Sequence, residues 1–161
     1  MYVVTAAGEE DGELDGCLVG FASQCSIGPA RFVVWLSREN RTYRAACRAS
    51  HLGVHVLSRA RSDLARWFGE RTGDDTDKFA EVDWRPGPGG APVLRGARAW
   101  FVGRVLDRFE GGDHVGFLLA PVTEGSADAD DSADPDDVAD AARPGLLRLS
   151  DVEHFSPGHP A

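Results

Sequence analysis

Apolar residues fall in short runs along this chain, and most of these runs are rich in Val, Leu, Phe and Trp, as in β-strands. Clusters rich in Gly and Pro separate them, for example at 8–12, 86–92 and 110–112. Six segments are predicted to be strands on this basis: Tyr2–Ala6, Leu14–Phe21, Arg31–Leu36, His51–Leu57, Ala97–Leu106 and His114–Val122. Consecutive strands without long helices between them favour an antiparallel barrel over a doubly wound parallel sheet.

Two short stretches have helical spacing instead. Asn40 is a suitable N-cap for a short helix that extends through Cys47. Ser62 or Asp63 can begin a second helix, whose apolar face would carry Leu64, Ala65, Trp67 and Phe68. We therefore expect short helices packed on a mainly β fold.

The acidic residues are unevenly distributed. The formal net charge is −9, but eight acidic residues and no Lys or Arg lie between positions 124 and 140. The rest of the chain is close to neutral and has no concentrated basic face, so we expect no nucleic-acid partner. Composition predicts a barrel domain over residues 1–123, an acidic disordered loop over 124–143, and a last strand with the C-terminal tail of the same domain over 144–161.

The three cysteines, Cys17, Cys25 and Cys47, are an odd number without C-x-x-C spacing. This pattern predicts free thiols in a reducing compartment. No apolar run approaches the ~20 residues that span a bilayer. Strand-like Tyr2–Ala6 follows Met1 at once, which argues against a targeting peptide. The sequence thus predicts a cytoplasmic protein with no membrane partner.

His51 and His55 are spaced as metal ligands would be on one face of a helix. However, Gly53, Val54 and Val56 predict a strand, in which the two Cα atoms would lie roughly 13 Å apart. We therefore expect no metal site from this pair.

Four fragments carry the candidate chemistry. LDGCLVGFASQCSIGP at Leu14–Pro29 combines a strand with small and hydroxylated residues, so its backbone can approach a flat polar ligand closely. SRENRT at Ser37–Thr42 opens a helix, and a helix start attracts phosphate. The others are DKF at Asp77–Phe79 and GDH at Gly112–His114. Taken singly, each also has a structural interpretation: a β-turn-β unit, a capped surface helix, a core phenylalanine and a strand-edge histidine.

In this order and at these spacings, the fragments resemble the flavin reductase family, whose domain is an FMN-binding split barrel. The resemblance extends from about Val3 to Pro121. It implies a mainly β fold, an antiparallel FMN-binding split β-barrel with short helices, that forms a homodimer with FMN between the subunits. The implied activity is NAD(P)H-dependent flavin reduction, with NADH or NADPH as hydride donor and a separate monooxygenase as the partner that receives reduced flavin.

The resemblance also assigns site residues. It places the isoalloxazine ring and the ribityl chain along one segment: Gly20, Phe21, Ala22, Ser23, Gln24, Cys25 and Ser26. Asn40, Arg41 and Thr42 are expected to hold the FMN phosphate. Lys78 and Phe79 are expected to lie against the cofactor, and His114 to seat the nicotinamide for catalysis.

Two other functions remain open from the sequence. One is a split-barrel flavoprotein that holds FMN tightly, or uses a deazaflavin, and acts on an organic substrate. The other is a non-catalytic barrel that binds flavin or another small molecule.

Overall fold

The computed structural model describes residues 1–9 and 12–126. The strands of this part are β1 (Tyr2–Ala7), β2 (Leu14–Val19), β3 (Ala22–Ser26), β4 (Arg31–Ser37), β5 (His51–Val56), β6 (Trp84–Pro86), β7 (Pro92–Leu94), β8 (Ala99–Glu110) and β9 (His114–Ser126). Its α-helices are α1 (Arg41–Arg48) and α2 (Ser62–Glu70). Single 3-10 turns lie at Arg59–Arg61, just before α2, and at Pro88–Gly90.

Seven of these strands form one antiparallel sheet in the order β2-β1-β5-β8-β9-β4-β3, and β6 and β7 pair separately as a hairpin. β8 and β9 are the longest strands of the described part. The expected mainly antiparallel β fold with short helices is confirmed.

The sheet curls around a buried core. Val19 of β2 shares one apolar cluster with Leu36 of β4 and Phe117 of β9, although β2 and β4 lie near opposite ends of the strand order. Residues so distant in the sheet can meet only if it bends into a barrel. Ala45 and Ala46 of α1 close this core. The barrel is split, because β2 and β3 end the strand order without pairing to each other.

A second core lies on the other side of β1. Phe68 of α2 packs there with Val3 of β1, Leu57 and Phe79. Val4, the next residue of β1, faces the first core instead, since successive side chains of a strand point to opposite sides. β1 is therefore buried on both faces between two cores.

Helix α1 is capped at both ends. The Asn40 side chain accepts a hydrogen bond from the Thr42 amide (3.0 Å), as the sequence predicted. At the other end, the Arg108 guanidinium of β8 donates to the carbonyl oxygens of Ala46 (3.4 Å) and Ala49 (3.1 Å). A cation at this end also interacts favourably with the helix dipole.

Three predicted strands have an end that differs from the structure by more than one residue. β2 ends at Val19, before the predicted Phe21, and Ala22–Ser26 then forms β3 at the opposite end of the sheet. β8 is Ala99–Glu110 instead of Ala97–Leu106, so it extends four residues past its predicted end. β9 continues past Val122 to Ser126, since its last residues pair with the start of β8.

The first three residues of the predicted acidic loop, 124–126, are consequently strand. Its remainder, 127–143, and the predicted last strand and tail at 144–161 lie outside the described residues. Within 1–9 and 12–126, no helix combines the length and the apolar character that crossing a bilayer demands.

Candidate functional site

The β3–β4 hairpin and the start of β9 bring Phe21 and His114 together. The Trp35 amide of β4 donates to the Phe21 carbonyl (2.9 Å), and β4 pairs on its other side with β9, placing Ser37 opposite His114. The Phe21 and His114 rings meet edge to face, with 5.4 Å between centroids and 69° between planes. Two predicted fragments, distant in sequence, thus share one surface.

The outer edge of this surface is β3, which pairs with β4 alone among the described strands. The register shifts between Gln24 and Ser26, so Cys25 lies in a β-bulge. Ser23, Gln24 and Cys25 are exposed. An outermost strand with small side chains offers backbone N–H and C=O groups to a ligand.

The turn before β9 orients the His114 ring. Nδ1 of His114 lies 2.8 Å from Oδ1 of Asp113, and this hydrogen bond lowers the pKa of Asp113. The Asp113 carboxylate is therefore ionised at neutral pH, where it accepts a hydrogen bond from the Nδ1–H group of His114 and leaves Nε2 for a ligand. Gly112 has φ +99°, a conformation that favours glycine.

Arg38, the residue directly after β4, fixes the same turn. Its amide donates to the Asp113 carbonyl (3.0 Å) and its Nε to the Gly112 carbonyl (3.1 Å), while its guanidinium pairs with Glu110. Gly111 packs so closely against Trp35 that a Cβ atom would meet the indole ring. The backbone that positions His114 is thus held on two sides.

The Asn40–Thr42 segment is bonded mainly within the protein. Thr42 is fully buried, and its hydroxyl donates to Oδ2 of Asp15 (3.0 Å). Arg41 donates through Nε to Oε1 of Glu13 (2.7 Å) and remains partly exposed. Burial opposes the charge of Arg41, but Glu13 outweighs it and raises the Arg41 pKa.

Lys78 and Phe79 point into the protein. The Lys78 ammonium donates to the Gly16 carbonyl (2.7 Å) and lies 3.6 Å from Oδ1 of Asp15. The Phe79 ring packs edge to face against Phe68 and Trp84, with 5.7 Å between centroids in each pair. Any contact of the Lys78–Phe79 segment with a ligand therefore depends on its backbone and on the rim of the ring.

The predicted site residues form two groups in the structure: Phe21 with His114, and Arg41 with Phe79. A cavity of about 640 Å³ opens beside the second group. Its walls include Arg41, Phe79, Leu14, Trp84 and the acidic stretch 74–77, but not His114 or the 20–26 segment. The two groups are connected through β4, because the Asn40 amide donates to the carbonyl of Ser37 (3.1 Å), the residue opposite His114.

The family model described as "Flavin reductase like domain" matches residues 1–141. The chain belongs to this family. It is 38% identical over 100 residues to the FMN reductase (NADH) RutF 2 of Methylorubrum extorquens, a match that covers 61% of this chain and 58% of that protein. It is 32% identical over 104 residues to HsaB, the reductase subunit of a flavin-dependent monooxygenase of Mycobacterium tuberculosis, covering 62% and 54% of the two chains.

A solved structure of similar fold is the NADH:FAD oxidoreductase SgcE6 of Streptomyces globisporus. It superimposes with a TM-score of 0.71 at 27% identity, covering 80% of this chain and 75% of that one. The chain spans only 37% to 54% of the length of the first three curated relatives that it matches.

The sequence did not assign a role in this flavin reductase-like domain to Asp15 or Glu13. Both carboxylates hold predicted site residues, Asp15 through Thr42 and Lys78, and Glu13 through Arg41. The signal for Asp15 was available, because a carboxylate inside the apolar strand Leu14–Val19 needs a buried partner. The identity of that partner could not be predicted from the sequence, since Lys78 is far from Asp15 along the chain.

The histidine pair of the flavin reductase-like domain lies on a strand, as predicted. Nδ1 of the fully buried His55 bonds the Val3 carbonyl (3.0 Å), and Nε2 accepts from the Leu94 amide (3.1 Å). Both ring nitrogens are therefore used within the protein. Among the described residues, no three His, Cys, Asp or Glu side chains are grouped to hold a metal ion.

Proposed function

We propose that this chain is an NAD(P)H-dependent flavin reductase that transfers a hydride from nicotinamide to FMN. The observation that carries the proposal is the contact between Phe21 and His114, which puts the segment predicted to hold the flavin ring beside the residue predicted to seat nicotinamide. Membership of the flavin reductase-like family and the reductase names of its relatives support it.

The β3–β4 hairpin fits the polar edge of a flavin. β3 is outermost in the sheet, and its exposed Ser23 and bulged Cys25 leave room for close approach of a flat ring. We assign the ring and ribityl contacts to this strand and to Gly20 and Phe21. Most of them would come from backbone groups, which bind without side-chain bulk.

Arg41 is the best candidate for the FMN phosphate. Its guanidinium has more N–H donors than Glu13 uses, so it can bind phosphate without leaving that partner. Asn40 and Thr42 support this role by shaping the start of α1, since their side chains bond to the helix and to Asp15. Phe79 forms part of the adjoining wall.

Bound FMN would supply the redox chemistry by accepting the hydride at its ring. The protein's residues then have to orient and shield the reactants. Asp113 holds the His114 ring so that Nε2 can contact the nicotinamide amide, and the rigid turn around Gly112 keeps it there. None of these residues has to transfer a proton.

A monooxygenase partner and a homodimer complete the proposal. HsaB is named as a reductase subunit of such an enzyme, which supports a partner that takes up reduced flavin. Phe21 and Ile27, which flank the edge strand β3 on either side, are 65% and 89% exposed, and this supports pairing with a second copy there. The free cysteines support a reducing, cytoplasmic location.

The test is NADH and NADPH oxidation by the purified chain, followed by absorbance with and without added FMN. Oxidation that requires added FMN is the expected result. Yellow protein that oxidises neither nucleotide would instead indicate a flavoprotein acting on another substrate. A chain without any flavin affinity would be a binding module of another kind, and would refute the proposal.

Two variants test the nicotinamide side and the phosphate side of the site separately. His114→Asn should raise KM for NADH about tenfold or more, because one oriented ring contact is lost, and leave the Kd for FMN within about twofold. Arg41→Ala should weaken FMN but not riboflavin, which has no phosphate. Equal effects of Arg41→Ala on both flavins would contradict the phosphate assignment.

A further inference from the structure

Asp15 is a buried carboxylate at the start of β2 to which two separate parts of the site are bonded. It is 1% exposed, and its Oδ2 accepts from the Thr42 hydroxyl at the start of α1 (3.0 Å). Its Oδ1 lies 3.6 Å from the Lys78 ammonium, which is 2% exposed. Lys78 completes the link by donating to the carbonyl of Gly16, the neighbour of Asp15 (2.7 Å).

The loop before Lys78 lies directly over this carboxylate. A Cβ atom on Gly73 would lie 2.6 Å from Oδ1 of Asp15, so only a glycine permits the observed approach. The Lys78–Phe79 backbone is held as well: Trp67 donates through Nε1 to the Lys78 carbonyl (3.0 Å), and Oδ1 of Asp77 accepts from the Phe79 amide (3.0 Å). Asp15 is therefore the point at which β2, α1 and this loop meet.

We propose that Asp15 is a positioning residue for flavin binding, which fixes the start of α1 and the Lys78–Phe79 segment relative to each other. The inference rests on the proposed function. In it, the Lys78 ammonium acts as the counter-ion of Asp15 rather than as a direct ligand of phosphate. This ion pair holds the backbone of Lys78 and the ring of Phe79 in the position where they contact the cofactor.

Whether FMN binds more tightly or more weakly after Asp15 is neutralised distinguishes a positioning role from a purely electrostatic one. A carboxylate near an anionic phosphate repels it, so removal of that charge alone would make FMN bind more tightly. If Asp15 positions the site, its neutralisation leaves Lys78 buried without a counter-ion. The loop then moves away, and FMN binds more weakly.

The experiment is a double-mutant cycle of wild type, Asp15→Asn, Lys78→Met and the double variant. Dissociation constants for FMN and riboflavin come from quenching of flavin fluorescence, at a temperature where circular dichroism shows each protein folded. Each single variant should weaken both flavins about tenfold, and the double variant should return to within about threefold of wild type, because no buried charge is left unpaired.

Asp74→Asn is the matched control. Asp74 is an exposed carboxylate that borders the same cavity and pairs with Arg44 (2.5 Å), so its replacement removes an equal charge without disturbing the buried pair. It should leave FMN unchanged or slightly tighter. If Asp15→Asn does not fold, Lys78→Met and the double variant still test the coupling by the recovery of affinity.

Tighter FMN binding by Asp15→Asn, or losses that simply add in the double variant, would overturn the inference while leaving the proposed function intact. A loss of thermal stability without a change in either dissociation constant would also overturn it, since it would show a purely structural pair. Wild-type protein that binds neither flavin would refute the proposed function and this inference together.

Discussion

Both ring nitrogens of His55 are used inside the protein, and its protonation is set by that arrangement. Since Nε2 accepts from Leu94, Nδ1 must be the nitrogen that donates to Val3. A second proton on Nε2 would break the Leu94 bond. Burial accordingly lowers the His55 pKa from 6.5 to about 4.

This arrangement makes stability depend on pH. Between pH 6.5 and about 4 the unfolded chain binds a proton at His55 that the folded chain does not, so the free energy of unfolding falls as pH falls through this window. The contribution of His55 is complete above pH 6.5, and its total loss is about 3 kcal/mol. Urea unfolding of wild type and His55→Asn from pH 4 to 7 measures it.

The difference in the free energy of unfolding between wild type and His55→Asn separates the contribution of His55 from that of other groups that titrate in this pH range. Asn keeps a donor and an acceptor but does not ionise. The stability of His55→Asn should therefore vary less with pH than that of wild type. Parallel pH profiles would show that His55 is not the titrating group.

The three thiols differ sharply in exposure. Burial raises the pKa of Cys17 to about 11, whereas Cys25 and Cys47 are exposed. Because the thiolate is the reactive form, Ellman's reagent at pH 8 should label Cys25 and Cys47 in the folded protein and Cys17 only after unfolding.

The same reagent tests the position of the flavin. Saturating FMN should slow the labelling of Cys25, which lies in β3, and leave Cys47 on α1 unchanged. The single variants Cys25→Ser and Cys47→Ser assign the two rates. Protection of Cys47 alone would place the ligand elsewhere.

At the scale of elements, Arg108 links β8 to the end of α1. It caps two carbonyl oxygens and also stacks over Phe117, with 5.6 Å from the guanidinium to the ring centroid. Arg108→Met should therefore lower the free energy of unfolding by about 1 kcal/mol, measured by urea denaturation.

Arg104 provides the matched control, since it lies exposed on the same strand. Arg104→Met should change the free energy of unfolding by less than about 0.5 kcal/mol. An equal loss from both variants would mean that the positive charge of β8, not the cap, stabilises the fold.

Sequence patterns predicted the elements that have strong local signals. The apolar strands and both helices were found, and so was the Asn40 cap, because each is encoded within a few residues. β3 was missed as a separate strand, since its exposed small and polar residues lack apolar alternation. β6 and β7 were missed because each has three residues and includes a proline.

The candidate site was predictable only in part, for a related reason. The fragments could be located along the chain, but their partners are long-range. Neither the contact of Phe21 with His114 nor the bonding of Thr42 and Lys78 to Asp15 follows from local spacing. Such contacts depend on the strand order, which the local pattern does not specify.

For the whole molecule, the exposed apolar residues bear on assembly. Ile27 lies in the turn between β3 and β4, and Val122 follows the β9 residues that pair with the start of β4, so both lie at the same end of the sheet. If a second copy covers this region, Ile27→Glu should convert a dimer into a monomer and weaken FMN, because the flavin would lie between subunits.

Analytical ultracentrifugation of the two proteins, with Ile27→Val as the control, measures this change. The control keeps an apolar side chain and should remain dimeric. A wild-type monomer at micromolar concentration would contradict the assembly, and an Ile27→Glu dimer would place the interface on another face.

The outermost position of β3 also has a kinetic consequence. A ligand bound along this edge of one subunit is held mainly by hydrogen bonds to the backbone of a single strand. If flavin binds there as proposed, its residence time is set by those few bonds together with the contacts that a second copy adds.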